Sequence, residues 1–321
     1  ETGLPLGILG IQVFGYGIFS WAKMLLKAPF GIFHLTHTKY LIAEMGIDEP
    51  DPPKNMEYLL TILKPQISIY LNEGAVHTMQ FEKLAKNKSF KSGDEKINFL
   101  IKKLAEEDVK IITKSGCRIA IFNHDDKYIT HALLNYKKPT NQTLLSFGKD
   151  SSNSAQYTAY SVDLNGTHFR IKVEGVEYVL HFKDFVMPEV YRENIASAIL
   201  AAVKIGLSIE KIEASLTRNF RLPAGRSSIF SGINKSVIID SSYNASKNST
   251  LSFLDLVKTL KNKTKRPVVF LFGDMREIGS LEEHEHRDVL NHLMDIVDFL
   301  YCVGRITKES VVPIAHKNKN I

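Results

Sequence analysis

Residues 237–279 read VIIDSSYNASKNSTLSFLDLVKTLKNKTKRPVVFLFGDMREIG, two apolar runs that each stop at a polar turn and flank a segment of helical periodicity. No other stretch restricts the fold as much. A strand, an amphipathic helix and a second strand in this order make a βαβ unit, whose crossover joins parallel strands. In open α/β sheets ligands gather outside the carboxyl ends of the strands. Asp240, Ser241, Ser242, Tyr243 and Asn244 follow the first run, and Asp274, Arg276 and Glu277 follow the second, so these residues are placed to meet a ligand. The pattern points to an enzyme.

The same rhythm runs through residues 1–135. YLIAEMG reads as a strand ending at Glu44, NMEYLLTIL as a helix, and QISIYLNEG as a strand closing at Asn72. FKSGDEKINFLIKKLAEE has apolar positions three and four apart, as a helix requires, and CRIAIFNHDD reads as a strand stopping at two carboxylates. From about 137 to 186 short alternating runs take over, and Asn165-Gly166 between two of them signals a hairpin, so this stretch reads as an antiparallel insertion. Two helices follow, ENIASAILAAVKIG and SIEKIEASLTRN, the second with Ser208 as its candidate cap. Leu222-Pro223-Ala224-Gly225 breaks the pattern and marks a hinge. The expectation is therefore an α/β protein: a mainly parallel central domain of ATPase type over 1–222 with the antiparallel insertion, then a Rossmann-like domain over 223–321.

With 321 residues the chain has room for two or three domains. A net charge of +6 suits an anionic substrate such as a nucleotide sugar without demanding one, because the lysines are scattered over solvated faces. No nucleic-acid-binding module is present, and DNA and RNA are not expected partners. Cys117 and Cys302 show neither metal spacing nor a disulfide framework, which fits a reducing cytoplasm. Residues 3–20 are apolar, yet Pro5, Gln12 and repeated glycines argue against stable membrane insertion. A chain that opens at Glu1 within an apparently structured segment reads as a fragment, and the carboxy-terminal domain, stopping in KNKNI after two or three parallel strands, reads as cut short as well.

The turns at 240–247 and 273–279 carry a resemblance. The Mur ligases show a strand followed by DDSYNANP, a helix, a strand followed by GDMxELG, and a later His; this chain has DSSYNASK, GDMREIG and His286, with Ser241 for the second Asp and Lys247 for Pro. On these residues it resembles the Mur ligases, and among them the branch that adds D-alanyl-D-alanine to a UDP-N-acetylmuramoyl tripeptide in the building of cell-wall precursors. The resemblance implies a cytoplasmic, monomeric ligase using ATP and Mg2+ through an acyl-phosphate intermediate. It also assigns roles. Glu44, in AEMG, would bind magnesium, which prefers oxygen ligands and bridges to phosphate. His77, in LNEGAVH, resembles the His of TNIGxxH that helps hold a second metal and so takes part in catalysis. Asp108 lies where the family often has a carbamylated lysine; it either supplies that negative charge directly or is an exposed helix residue.

Asn123, Asp125 and Asp126 resemble an N-x-DD turn of the same branch, or else form a strand-ending turn bonded to its own backbone. Asn194, opening ENIASAILAA, resembles an adenine-contacting Asn, although Val190 and Tyr191 stand where the family usually has another His or Asn. Gly225-Arg226 resembles a GR pair whose guanidinium reaches the nucleotide phosphates, a task suited to a planar donor of two parallel bonds. Asp240 would hold a ribose or a magnesium-linked water, with Tyr243 and Asn244 also at the nucleotide, or else Arg226 and Asp240 serve a domain-hinge salt bridge. No G-x-x-x-x-G-K-[ST] loop occurs in the 321 residues. The resemblance therefore covers nearly all of this chain but only the middle of a full enzyme, and the fragment by itself is expected to perform no ligation. Two other readings stay open: a different Mur or folylpolyglutamate-type amino-acid ligase, and a degenerate homologue acting as a binding module.

Overall fold

The apolar runs at 67–70 and 119–123 become two neighbouring strands at one edge of a six-stranded sheet. The computed structural model describes residues 3–317 apart from positions 14, 16, 76, 77, 184 and 277. Two helices come first, α1 (Gly3–Ile8) and α2 (Ile18–Thr36). No helix among the described residues is long and apolar enough to cross a membrane. Between α2 and α3 (Met56–Ile62), the expected strand over 40–46 does not form. Ile42 is 95% exposed there, and an apolar run with no neighbouring strand to bond its backbone gains nothing by extending into a sheet.

The sheet is built in the order β1 (Ile67–Tyr70), β2 (Ile119–Asn123), β3 (Thr143–Gly148), β4 (Ala155–Asp163), β5 (Gly166–Val173), β6 (Val176–Lys183). Strands β1 to β4 are parallel neighbours and β4 to β6 antiparallel. The antiparallel part is thus narrower than expected, because β3 belongs to the parallel half. Asn165-Gly166 does mark a hairpin, but the turn is Leu164-Asn165, and Gly166 is already paired with Asp163. A second hairpin, Glu174-Gly175 at φ 46° and 90°, was not anticipated; positive φ at both central residues matches the right-handed twist of the flanking strands.

Helices cover both faces, as a parallel sheet requires. Ile67, Ile69, Ile119 and Ile121 face α7 (Tyr191–Lys204), which lays Ile195, Ala196, Ile199 and Leu200 on the sheet. Tyr70, Ala120 and Phe122 face the opposite way, onto α5 (Lys110–Thr113) and α6 (Lys127–Leu133). Outside them runs α4 (Gly93–Asp108), capped by Ser92, whose hydroxyl accepts the Glu95 N–H. The second expected helix after the sheet is α8 (Ile209–Ala214), which widens into a π turn over Ser215–Asn219; Ser208 makes no side-chain capping bond.

Beyond 223 the expected pairing changes. β8 (Val237–Asp240) pairs antiparallel with β7 (Ser228–Ser231), while β9 (Val269–Gly273) pairs parallel with β10 (Phe299–Val303). β8 and β9 flank α9 (Lys247–Thr264) as foreseen but are not hydrogen-bonded to each other; the directly paired βαβ unit is β9–α10–β10, with α10 spanning Glu282–Leu293. The short α11 (Val312–Ala315) follows. One apolar cluster joins the two parts: Phe81, Leu100 and Leu104 share it with Leu254, Phe272, Leu290 and Leu293. Full burial of side chains of this size stabilises by about 2 kcal/mol each.

Candidate functional site

The carboxyl ends of β1 and β2 turn into loops that bind each other. Asp126 caps α6 by accepting the N–H groups of Tyr128 (2.8 Å) and Ile129 (3.1 Å), and its other oxygen accepts the Glu73 N–H at 2.8 Å. Asn123 accepts the Asp125 N–H at 2.9 Å, and Asp125 accepts the Lys149 N–H. The N-x-DD segment therefore spends most of its acceptors on backbone. Asn123 also donates to Glu193, at the start of α7, at 3.3 Å.

Glu73 sits in the middle of this edge. Its carboxylate accepts the Tyr70 hydroxyl (2.5 Å) and the Gly74 N–H (3.0 Å) and lies against Asp108, the last residue of α4. Burial pushes the Glu73 carboxyl up to about 7, against the pull of Tyr70 and Gly74, and the charge of Asp126 adds to the rise. Burial likewise raises Asp108, followed by the charges of Glu73 and Glu107. Two carboxyls pressed together resist losing both protons.

A second assembly forms where two turns meet beyond the hinge. Tyr243 N–H donates to the Gly225 carbonyl at 3.1 Å, and Gly225 has φ 76° with its Cα facing Tyr243, so a side chain there would strain both turns. The exposed Arg226 guanidinium stacks on the Tyr243 ring, 4.8 Å from its centre. Asp240 ends β8 opposite Ser228 and accepts the Ser242 N–H at 3.0 Å. Tyr191, at the start of α7, reaches this group: burial raises its hydroxyl, countered by Ser227 and by the nearby Arg226 charge.

In the turn after β9, Asp274 does structural service. It accepts the N–H groups of Thr307 (2.9 Å) and Ile306 (3.2 Å) beyond β10. Burial favours its neutral form, but these donors outweigh that and hold the carboxyl below its usual range. His286 is fully buried; it accepts the Met275 N–H on Nε2 at 2.9 Å, while Nδ1 lies 2.6 Å from the Glu282 carbonyl, which places the proton on Nδ1. His286→Ala is expected to leave the Met275 N–H unpaired and cost about 1–2 kcal/mol. Urea unfolding reads this, and an unchanged midpoint contradicts it.

No family model and no curated protein matches this chain. Solved structures do. It is similar to MurF from Acinetobacter baumannii (TM-score 0.66, 18% identity, 89% of this chain and 57% of that one). It is also similar to the MurF ligase from Thermotoga maritima in complex with ADP (TM-score 0.68, 16% identity, 96% of this chain and 64% of that one). This chain has the Mur-ligase fold. The apo form of the folylpolyglutamate synthetase from Lactobacillus casei is similar as well (TM-score 0.57, 12% identity, 95% of this chain and 66% of that one). The chain spans about three-fifths of the length of the MurF chains, from 57% to 64%.

Within the Mur-ligase fold, the residues singled out in the sequence fall into separate groups. Arg226, Asp240 and Tyr243 are brought together, with the exposed Asn244 one residue further on. Asn194 is exposed on the first turn of α7, the same turn whose Tyr191 reaches Arg226. Asp108 is not an exposed helix residue but half-buried against Glu73. Glu44 stands exposed on the loop after α2, and His77 lies outside the described residues, as does Glu277. Sequence reasoning missed Glu73, Lys127 and Asn248, which line a cleft of about 310 Å³ with Tyr128, Lys247 and Glu285. For Glu73 a signal was present: LNEG carries a carboxylate where the TNIG motif is apolar.

Proposed function

We propose that this chain is part of an ATP-dependent ligase that joins D-alanyl-D-alanine to a UDP-N-acetylmuramoyl tripeptide, activating the tripeptide carboxylate as an acyl-phosphate. The observation that carries the reading is the meeting of the Gly225-Arg226 and Tyr243-Asn244 turns, inside a fold shared with MurF structures, one of them bound to ADP. The chain would divide at the 222–225 hinge into a central domain (1–222) and a carboxy-terminal domain (223–321), and would work as a cytoplasmic monomer in peptidoglycan precursor synthesis.

The residues beyond the hinge suit a nucleotide. Arg226 is solvent-facing, pre-oriented by its stacking on Tyr243, and free of any carboxylate partner among the described residues. Its guanidinium would donate in parallel to phosphate oxygens. Asp240 and Asn244 would hold the sugar side, and Asn194 the base. The bound nucleotide, giving up its terminal phosphoryl group and leaving as the diphosphate, would convert the carboxylate into an acyl-phosphate anhydride from which the incoming amine displaces phosphate. Glu44 is exposed and belongs to no three-ligand group among the described residues, so this arrangement by itself does not build a magnesium site. Positioning by α7 and the two turns is the protein's own contribution.

Titration with ADP tests the reading. Binding is expected, and Arg226→Ala should weaken it about tenfold, the loss of a charge-assisted pair worth ~1.4 kcal/mol. Absence of binding at millimolar ADP, or equal binding by the variant, would sink it. For the polypeptide of the full reading frame, phosphate release should depend on D-alanyl-D-alanine. Dependence on glutamate instead would favour the folylpolyglutamate-type alternative, which the similar Lactobacillus casei structure keeps open. Binding without turnover would favour a non-catalytic module, in line with Ser241 in the first turn and no phosphate loop in these 321 residues.

A further inference from the structure

Where α10 passes the amino-terminal end of α4, His284 is ringed by carboxylates. Its Nε2 is 3.5 Å from Asp94 Oδ1, and its Nδ1 is 3.6 Å from Glu285 Oε1 and 3.7 Å from Asp288 Oδ2. None of these contacts is a hydrogen bond. Nδ1 is closed off from solvent and has no hydrogen-bond partner, although the imidazole itself is 36% exposed. Lys247 binds both Glu285, at 3.1 Å, and Asp288. Three carboxylates against one ammonium leave two negative charges around the ring, the complement of a dication.

We propose that Asp94, His284 and Asp288 form a divalent transition-metal site that fastens α10 to α4. One ligand atom from each lies within 4.8 Å of the others. Around a tetrahedral ion with bonds of about 2.0–2.2 Å, neighbouring ligand atoms stand roughly 3.3–3.6 Å apart, close to the Asp94–His284 separation and too long for a good hydrogen bond. His284 and Asp288 sit four residues apart on one face of α10, so a single helix fixes two ligands. With Nε2 on the ion, the proton resides on Nδ1 and points at the buried Glu285 carboxylate, the outer partner a ligating imidazole usually has. That proton would face Glu285 Oε1 across 3.6 Å, and metal binding is expected to draw the pair to hydrogen-bond distance. A nitrogen and two oxygen donors select a borderline ion such as Zn2+ over Mg2+. Gly93 admits the ring here, since a Cβ at that position would come within 3.1 Å of His284 Cδ2.

Co2+ is the probe, because its visible absorption reports coordination directly. The whole chain is expected to take up one Co2+ with a ligand-field band, to be displaced by Zn2+, and to unfold at higher temperature with Zn2+ present. His284→Asn should abolish the band and the shift. Asp94→Asn, an isosteric change at an exposed position on the first turn of α4, should weaken both. Glu44→Gln should change neither, which separates this site from the magnesium role that the resemblance implies for Glu44. No band at saturating Co2+, or a band that persists in His284→Asn, overturns the proposal.

Discussion

Gly304→Ala is expected to destabilise the carboxy-terminal part by on the order of 3–4 kcal/mol. Gly304 adopts φ 122°, and a Cβ there would overlap the Asp274 carboxylate. A left-handed conformation costs a side-chain-bearing residue about 1 kcal/mol or more. Displacing Asp274 also removes its bonds to Ile306 N–H, Thr307 N–H and the Thr307 hydroxyl, charge-assisted contacts worth roughly 2 kcal/mol together. Urea unfolding monitored through the C-terminal half reads the loss, and a change under 1 kcal/mol would show that the turn relaxes freely. Asp274 has a depressed pKa, so its contribution is full above the ordinary carboxylate range and fades as pH falls through the lower folded value.

The Glu73–Asp108 pair acts with the opposite sign. A carboxyl raised from 4.5 to about 7 binds its proton more tightly in the folded state, so stability is highest while it is protonated and declines as pH rises from about 4.5 to 7. The full linkage is worth roughly 3 kcal/mol; Glu73 is only half-buried, and solvent screening lowers the expected loss to about 2 kcal/mol. Glu73→Gln should therefore be more stable than the parent at pH 8 by about that amount and lose the decline; Asp108→Asn should move the same way. Unfolding curves at pH 5, 6.5 and 8 decide it. A variant less stable at pH 8, or one that keeps the parental slope, rules the account out.

Local signals in the sequence were read well and non-local ones poorly. β1, β2 and α4 were legible because their apolar periodicity and the polar residues at their ends are local properties. The run over 40–46, YLIAEMG, is mostly apolar as β1 is, but a strand exists only through its neighbour, and no neighbour pairs with it here. The partner choice of β8 and β9 was equally hidden, because SIFS at 228–231 carries too little pattern to announce β7. At the site, the convergence of Arg226 with Tyr243 followed from two turns recognised separately. The burial of Asp108 against Glu73 did not, since it depends on where α4 ends relative to β1. His284 lay unremarked in EEHEHRD because Asp94 approaches it from a distant part of the chain.

The apolar cluster shared by Phe81, Leu100, Phe272 and Leu290 means that swinging the two proposed domains apart exposes hydrocarbon to water. Such a movement would carry a positive heat-capacity change, so its equilibrium would curve with temperature instead of following a straight van't Hoff line. Chilling, which weakens hydrophobic association, would favour the open arrangement, and excluded osmolytes would favour the shut one.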